Sequence, residues 1–378
     1  MNVGVVGCGI FGLATAIELR ARGHDVTVFE QGPVPNERAS SYDTSKTIRR
    51  VYGADEAYVE LVEQAAPRWR AWQERLAADF FQEVGYVYVV RNFWPGTRVY
   101  DAWRLLNGTL GRPEVSLVAL DAARARWPQF RFLDGDTVLH DGWGGYLASG
   151  QAIADLARLA REEGVQIREA TPVQAVDEGG GAVRLATAVG EFAFDRVVVA
   201  TGVWLGRLIP SIGRHIRITR QFMAFFEPPD PGLYAPGPMP VYSIESDVKG
   251  WYGHPLKREG LVKLANDLRG EVVDPDVDRE APAAYVEQAR AFLAERIPGL
   301  ADAPLAGSRA CLYENTPDHD FVVDWAPGSQ RVLVAGGGSG HGFKFGGSIG
   351  SVVADALEER ENRLGARFRI DGRLGGDL

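Results

Sequence analysis

Residues 7–12 read Gly-Cys-Gly-Ile-Phe-Gly, the spacing G-x-G-x-x-G, and an acid, Glu30, closes the next apolar run. These residue types in this order suit one task, holding a dinucleotide. Gly7 permits a tight turn, Gly9 lets the backbone approach a diphosphate, and Gly12 lets a helix pack closely on a strand. The diphosphate then meets the unpaired N–H groups and positive dipole end of the helix that follows. Glu30 can accept both hydroxyls of an adenosine ribose, which also argues against a phosphate on that ribose. Other residues have chemistry to offer but no local pattern that decides it. Cys8 and Cys311 are the only thiols, and a free cysteine is most simply a small buried residue. Lys263 stands between Val262 and Leu264 in a strand-like run, and Lys344 stands between Phe343 and Phe345 in a glycine loop.

The glycine pattern means something only if secondary structure frames it. Val3, Val5 and Val6 predict a strand, Ile10 to Ala21 a helix stopped by Gly23, and Val26 to Phe29 a second strand. A polar loop, 31–53, follows and is long for a compact domain, which points to ligand contact. Ala57 to Leu76 carries Tyr58, Val62, Ala65, Trp69 and Trp72 on one stripe and predicts a helix. Ser149 suits the N-cap of a helix running through Glu163. The stretch Ala182 to Phe194 alternates like a strand, and Arg196 to Ala200 reads as a buried one. Further strands are expected at Ile216 to Phe226, Trp251 to Tyr252, Leu261 to Leu264, Phe321 to Asp324 and Arg331 to Ala335. Helices are expected over Ala281 to Ile297 and Ser348 to Leu357. The charged, glycine-rich tail from Glu358 is expected to fray. Nucleotide-type elements thus stand at the start, middle and end of the chain. One discontinuous nucleotide-binding domain (1–78, 146–215 and 306–378) with a substrate domain made from two insertions (79–145 and 216–305) explains that order. The fold class is α/β: a Rossmann-like domain joined to an α+β domain with a mainly antiparallel sheet.

Composition narrows the field. A net charge of −9 with no basic block makes nucleic acid a poor partner. Two cysteines in 378 residues exclude a disulfide framework and suit a reducing, cytoplasmic setting. Val3 to Leu19 is apolar but lacks a basic leader, and no stretch is long enough to span a bilayer.

Two further stretches point to a flavin. Arg196-Val-Val-Val-Ala-Thr-Gly resembles a marker of flavin-dependent two-domain oxidoreductases: a buried strand ends in a small-residue turn, Gly202 included, across which a cofactor can lie. The loop Gly336-Gly-Gly-Ser-Gly-His-Gly-Phe-Lys-Phe-Gly-Gly runs into a helix whose N-terminus can hold negative charge at a flavin's carbonyl end. A nicotinamide enzyme has no need of such a third segment.

Taken with Asp43-Thr-Ser-Lys-Thr-Ile-Arg-Arg-Val-Tyr-Gly, Ala200-Thr-Gly-Val-Trp and Cys311-Leu-Tyr-Glu-Asn-Thr-Pro-Asp, the chain resembles, nearly end to end, the monomeric sarcosine oxidase group of the D-amino acid oxidase superfamily. These flavoenzymes oxidise secondary or N-substituted amino acids. The resemblance implies FAD bound covalently through a thioether on Cys311. It implies cofactor contacts from Gly7, Gly9, Gly12, Glu30, Ser40, Ser41, Thr44, Gly202, Gly338, Gly340, Gly342, Phe343 and Lys344. It implies that Arg49 and Lys344 hold the substrate carboxylate, with Arg50 the alternative one register step away. Lys263 would activate dioxygen, and Tyr252 and Tyr313 would flank the substrate. Asp267, Ser40 and Ser41 stand where the sarcosine-specific enzymes carry histidines, which argues for a substrate other than sarcosine. The expected activity is oxidation of an amine to an imine by a monomer, with dioxygen reduced to hydrogen peroxide. A flavin-dependent dehydrogenase with another acceptor, an NAD-dependent dehydrogenase and a non-catalytic nucleotide-binding module are the alternatives.

Overall fold

A computed structural model describes residues 1–245, 250–268, 270–370 and 372–375. The opening strand, Asn2–Val6, lies inside a six-stranded sheet, between Arg196–Val199 and Asp25–Phe29 and parallel to both. Val332–Gly336 and Gln166–Arg168 extend it in parallel, and Val322–Trp325 adds an antiparallel edge. Parallel strands covered on both faces read as unbroken apolar runs, and Val3, Val5, Val197, Val198 and Val199 are all fully buried.

Glycines set the spacing between helices and sheet. The first helix, Ile10–Ala21, is buried along nearly all its length. A Cβ at Gly12 would lie 2.0 Å from the Gly7 carbonyl oxygen, so the helix could not start where it does with any other residue there. The last helix, Gly346–Leu357, presses Gly347 and Gly350 against the backbones of Ala65 and Ala14. Its N-terminal end is thereby held beside the first helix and the long helix Glu56–Leu76.

The larger sheet has nine strands among the described residues, and their pairing decides the chemistry. Leu305–Asn315 pairs antiparallel with Arg217–Phe226 and sets Cys311 opposite Gln221 and Tyr313 opposite Thr219. Arg217–Phe226 pairs in turn with Val262–Asn266, Phe225 opposite Lys263. Val262–Asn266 pairs with Gly250–His254, His254 opposite Lys263 and Tyr252 opposite Ala265. Ser243 then stands opposite Tyr252 on one side and Tyr88 on the other. Because side chains alternate with period two, Cys311, Tyr313, Lys263, Tyr252, Ser243 and Tyr88 all project from one face. The opposite face carries Ala224, Phe226, Leu264 and Trp251 and packs on Tyr285, Ala289, Phe292 and Leu293 of the helix Ala283–Arg296.

Three expectations need correction. The alternating stretch 182–194 is a hairpin of two strands, Ala182–Thr187 and Gly190–Phe194, rather than one strand. Ser149 begins its helix instead of capping it, and its hydroxyl donates to the Asp43 carbonyl. The tail does not fray over its described part. Phe368 and Leu374 are buried, and Arg367 donates two hydrogen bonds to Asp320, at 2.7 and 2.9 Å, and one to Asp55 at 2.7 Å.

Candidate active site

A cleft of about 490 Å³ runs across the ends of the parallel strands. Gly7, Gly9, Glu30, Ser40, Ser41, Gly202, Cys311, Gly338, Gly340, Gly342 and Phe343 all line it. Its floor is built for backbone approach: Gly7 has φ +101°, and a Cβ there would lie 2.4 Å from the Ala200 carbonyl oxygen. Glu30 is fixed in place, its carboxylate accepting the Cys8 N–H at 2.9 Å and the Asn36 amide at 2.9 Å. Ser41 Oγ accepts the Ile10 N–H at 3.0 Å, and Ser40 donates to the Leu312 carbonyl at 2.7 Å. Gly12 stays out of the cleft and acts through helix packing. Thr44 lines neither this cleft nor its neighbour; its N–H is donated to Asp43 at 2.7 Å. Burial pushes the Cys8 thiol far up, with the Glu30 charge adding to the effect, so Cys8 is an inert packing residue.

The cleft fits FAD by the chemistry of its walls. Two buried oxygens that line it, Thr201 Oγ1 and Glu314 Oε1, have no hydrogen-bond partner among the described residues. Buried polar atoms are rarely left so, and a ligand's hydroxyl or amide groups would satisfy them. Burial pushes the Glu314 carboxyl up to about 7, against the pull of the Gly337 and Gly338 N–H groups. This residue was not singled out from the sequence. The folded form therefore keeps a proton that the unfolded chain loses near 4.5. Stability is full below that point and falls as pH rises through 7. In protein produced without flavin, Glu314→Gln should flatten the Tm–pH curve between pH 5 and 8. The gain over wild type is expected to reach about 3 kcal/mol at the alkaline end. Parallel curves would remove Glu314 from this role.

A second cavity, about 810 Å³, opens beyond the cleft, and both are lined by Lys46, Cys311, Tyr313, Gly340 and Phe343. At this junction Lys46 Nζ lies 3.5 Å from Cys311 Sγ and 3.3 Å from Asp43 Oδ2. Lys263 donates to the same carboxylate oxygen and, at 2.9 Å, to the Ser45 carbonyl. Burial alone would push the Asp43 carboxyl up, but the Lys263 and Lys46 charges hold it at about 2. One anion thus serves two ammonium groups. Lys263, flanked by Val262 and Leu264 in its strand, is therefore ion-paired. Lys46 went unnoticed because nothing within its loop marks it.

Arg49, Lys344, Tyr252, Tyr313 and Lys263 all line the second cavity. Arg49 donates to the Val51 carbonyl and lies over the Tyr52 ring, 4.5 Å from its centroid. Arg50 lies elsewhere. It is 1% exposed, pairs with Asp141 at 2.6 Å, Glu114 at 2.8 Å and Glu63 at 3.1 Å, and does not line the cavity. Lys344 donates to the His341 carbonyl at 2.7 Å, while burial and then the Arg49 and Arg98 charges push its ammonium well down. Asp267, Arg98 and Glu245 also line the cavity, with Asp55, Arg217, Asp318, Asp320 and Arg367. His254, held between Ser45 at 2.5 Å and Thr47 at 2.9 Å, is kept neutral by burial and by the nearby lysines.

The profile of the family described as DAO, FAD dependent oxidoreductase, matches residues 2–356. The chain is 28% identical to N-methyl-L-tryptophan oxidase of Salmonella agona over 93% of each chain. It is 27% identical to monomeric sarcosine oxidase of Bacillus sp. over 93% of this chain and 91% of that one. Among solved structures it resembles NikD, an unusual amino acid oxidase essential for nikkomycin biosynthesis, with a TM-score of 0.84 at 21% identity. It also resembles L-proline dehydrogenase from P. horikoshii, with a TM-score of 0.85 at 20% identity. Each likeness covers 97% of this chain and 96% of the other. At those identities the two structures speak for the fold alone.

Proposed function

The chain belongs to the DAO family of FAD-dependent oxidoreductases, and from that membership we propose that its two cavities serve FAD-dependent oxidation of a secondary or N-substituted amino acid, amine to imine, with dioxygen reduced to hydrogen peroxide. The observation that carries the reading is the meeting of the cleft and the cavity at Cys311 and Tyr313, with Arg49 and Lys344 on the cavity wall. FAD, held by the cleft residues, would supply the two-electron acceptor and the route for electrons to dioxygen. The chain's own residues do the rest. Arg49 offers a planar fork to the substrate carboxylate and Lys344 a point charge. Fixing the carboxylate fixes the C–N bond, and orientation contributes much of the rate. Tyr252 and Tyr313 flank the reacting amine. No side chain acts as general base, because the cavity's cations favour the neutral amine that reacts. Lys263 supplies positive charge where dioxygen is reduced, and Cys311 forms the thioether. A nicotinamide dehydrogenase has no place in an FAD-dependent family.

The test is a peroxide-coupled screen of N-methyl amino acids, cyclic imino acids and glycated amino acids, run beside anaerobic bleaching of the flavin. Bleaching and peroxide together are the expected result. Bleaching without peroxide in air would make the protein a dehydrogenase with another acceptor. A colourless protein would end the reading.

A further inference from the structure

The substrate cavity contains a cation for which this reading has no use. Arg98 opens the short helix Arg98–Trp103 and lines the cavity beside Gly53, where a Cβ would lie 3.9 Å from its Cγ. Several other arginines close to the cavity or buried in the chain have carboxylates to hold. Arg50 has three, Arg367 has two, and Arg296 has Asp136 at 2.7 Å. Arg98, which is exposed at the cavity, has no ion pair among the described residues, and neither has Arg217, also exposed on the lining. The Arg49 charge acts against its own, while Asp267 and Glu245 act on it through space without reaching it. Tyr88 projects into the same cavity, and its buried hydroxyl has no partner among the described residues.

The cavity lining therefore offers more donors than one carboxylate needs. Arg49 and Lys344 make a first set, and Arg98 and the unpartnered Tyr88 hydroxyl, on the same lining, make a second. A single carboxylate occupies the first set and leaves the second unanswered, with two guanidinium groups repelling each other. We propose that Arg98 and Tyr88 form a second anion subsite, and that the substrate is a secondary or N-substituted amino acid with a second carboxylate on its side chain or N-substituent. Arg98 suits it because a guanidinium binds a carboxylate through two parallel hydrogen bonds. Asp267 faces the same space and is left for the amine. Glu245 opposes an anion there, but burial shifts it towards its neutral form. The inference rests on the amine-oxidising reading above.

The test compares N-methyl-L-glutamate with N-methyl-L-glutamine, which differ in charge and hardly in shape. Wild type should show kcat/KM at least about tenfold higher for the glutamate derivative, carried by KM, the scale of one hydrogen-bonded charge. Arg98→Met should erase the preference by raising KM for the glutamate derivative alone, and Arg98→Lys should restore part of it. Tyr88→Phe should weaken it in the same direction. Equal KM for the two substrates in wild type would overturn the proposal. So would an equal rise for both in Arg98→Met, which would place Arg98 on the α-carboxylate. Glutarate and butyrate, read by the change in flavin absorption, separate this proposal from the activity. If no amine is oxidised, glutarate should still bind at least about tenfold more tightly than butyrate in wild type and lose that advantage in Arg98→Met. Equal affinities would overturn the subsite whatever the activity.

Discussion

Cys311→Ser protein should give a colourless pellet and a yellow supernatant on acid precipitation, where the wild-type pellet stays yellow. Cys311 is 4% exposed and stands where cleft and cavity meet, so a ring lying across that junction has to pass it. A thioether needs the thiolate as nucleophile, and the Lys46 ammonium lies 3.5 Å from the sulfur. Burial alone would lower the Lys46 pKa, but the Cys311 and Asp43 charges raise it, so the cation persists beside the sulfur. The effect should be all-or-none, because serine's alkoxide is too costly to replace the thiolate. Lys46→Met should slow attachment without abolishing it, read as a mixed pellet that yellows on incubation with FAD in air. Colour kept in the Cys311→Ser pellet would place the link on another residue. A colourless wild-type pellet would mean that FAD is held by contacts alone. Cys8 cannot substitute, since burial and Glu30 keep its thiol protonated.

The difference between Cys8 and Cys311 shows where sequence reasoning works. The opening turn was legible because its parts are consecutive. A valine run, three glycines at fixed spacing and an acid at the end of the next strand each have a local reason. The large sheet was legible element by element, since Tyr285, Ala289, Phe292 and Leu293 follow helical spacing and all face its core. The site on the sheet's other face was not. Which side of a strand Lys263 or Tyr313 occupies depends on registers set between segments far apart, and one residue of slip would turn every side chain over. The Asp43–Lys263 pair spans 220 positions, and no spacing rule relates its partners. Arg49 and Arg50 are neighbours with the same charge; three carboxylates brought in from positions 63, 114 and 141 separate them. Arg98 carries no local signal at all, and its interest lies in the ion pair it lacks among the described residues. The tail misled because composition reports what a segment is made of, whereas Asp55 and Asp320 decide whether Arg367 stays in place.

Lys263→Met should slow reoxidation of the reduced protein by dioxygen about 10²- to 10³-fold, the scale set by losing one preorganised charge at a developing anion. Anaerobic bleaching by substrate should change by no more than about threefold, because Arg49 and Lys344 rather than Lys263 orient the amine. The expectation depends on counting charge at the junction. Asp43 cancels one of the two lysines that it holds, leaving a single net positive charge among Lys46, Lys263 and Asp43. Removing Lys263 brings that sum to zero, and superoxide forming there would meet no net attraction. Asp43→Asn offers the opposite change: it leaves both lysines unneutralised, each at a burial cost that drives a proton off one of them. It should therefore slow the oxygen step far less than Lys263→Met does. Stopped-flow traces of reduced protein mixed with air-saturated buffer read the oxygen step, and anaerobic traces read the amine step. Equal slowing of both steps in Lys263→Met would assign Lys263 to positioning. No slowing of either would move the oxygen role to Lys46, the other ammonium on the same carboxylate.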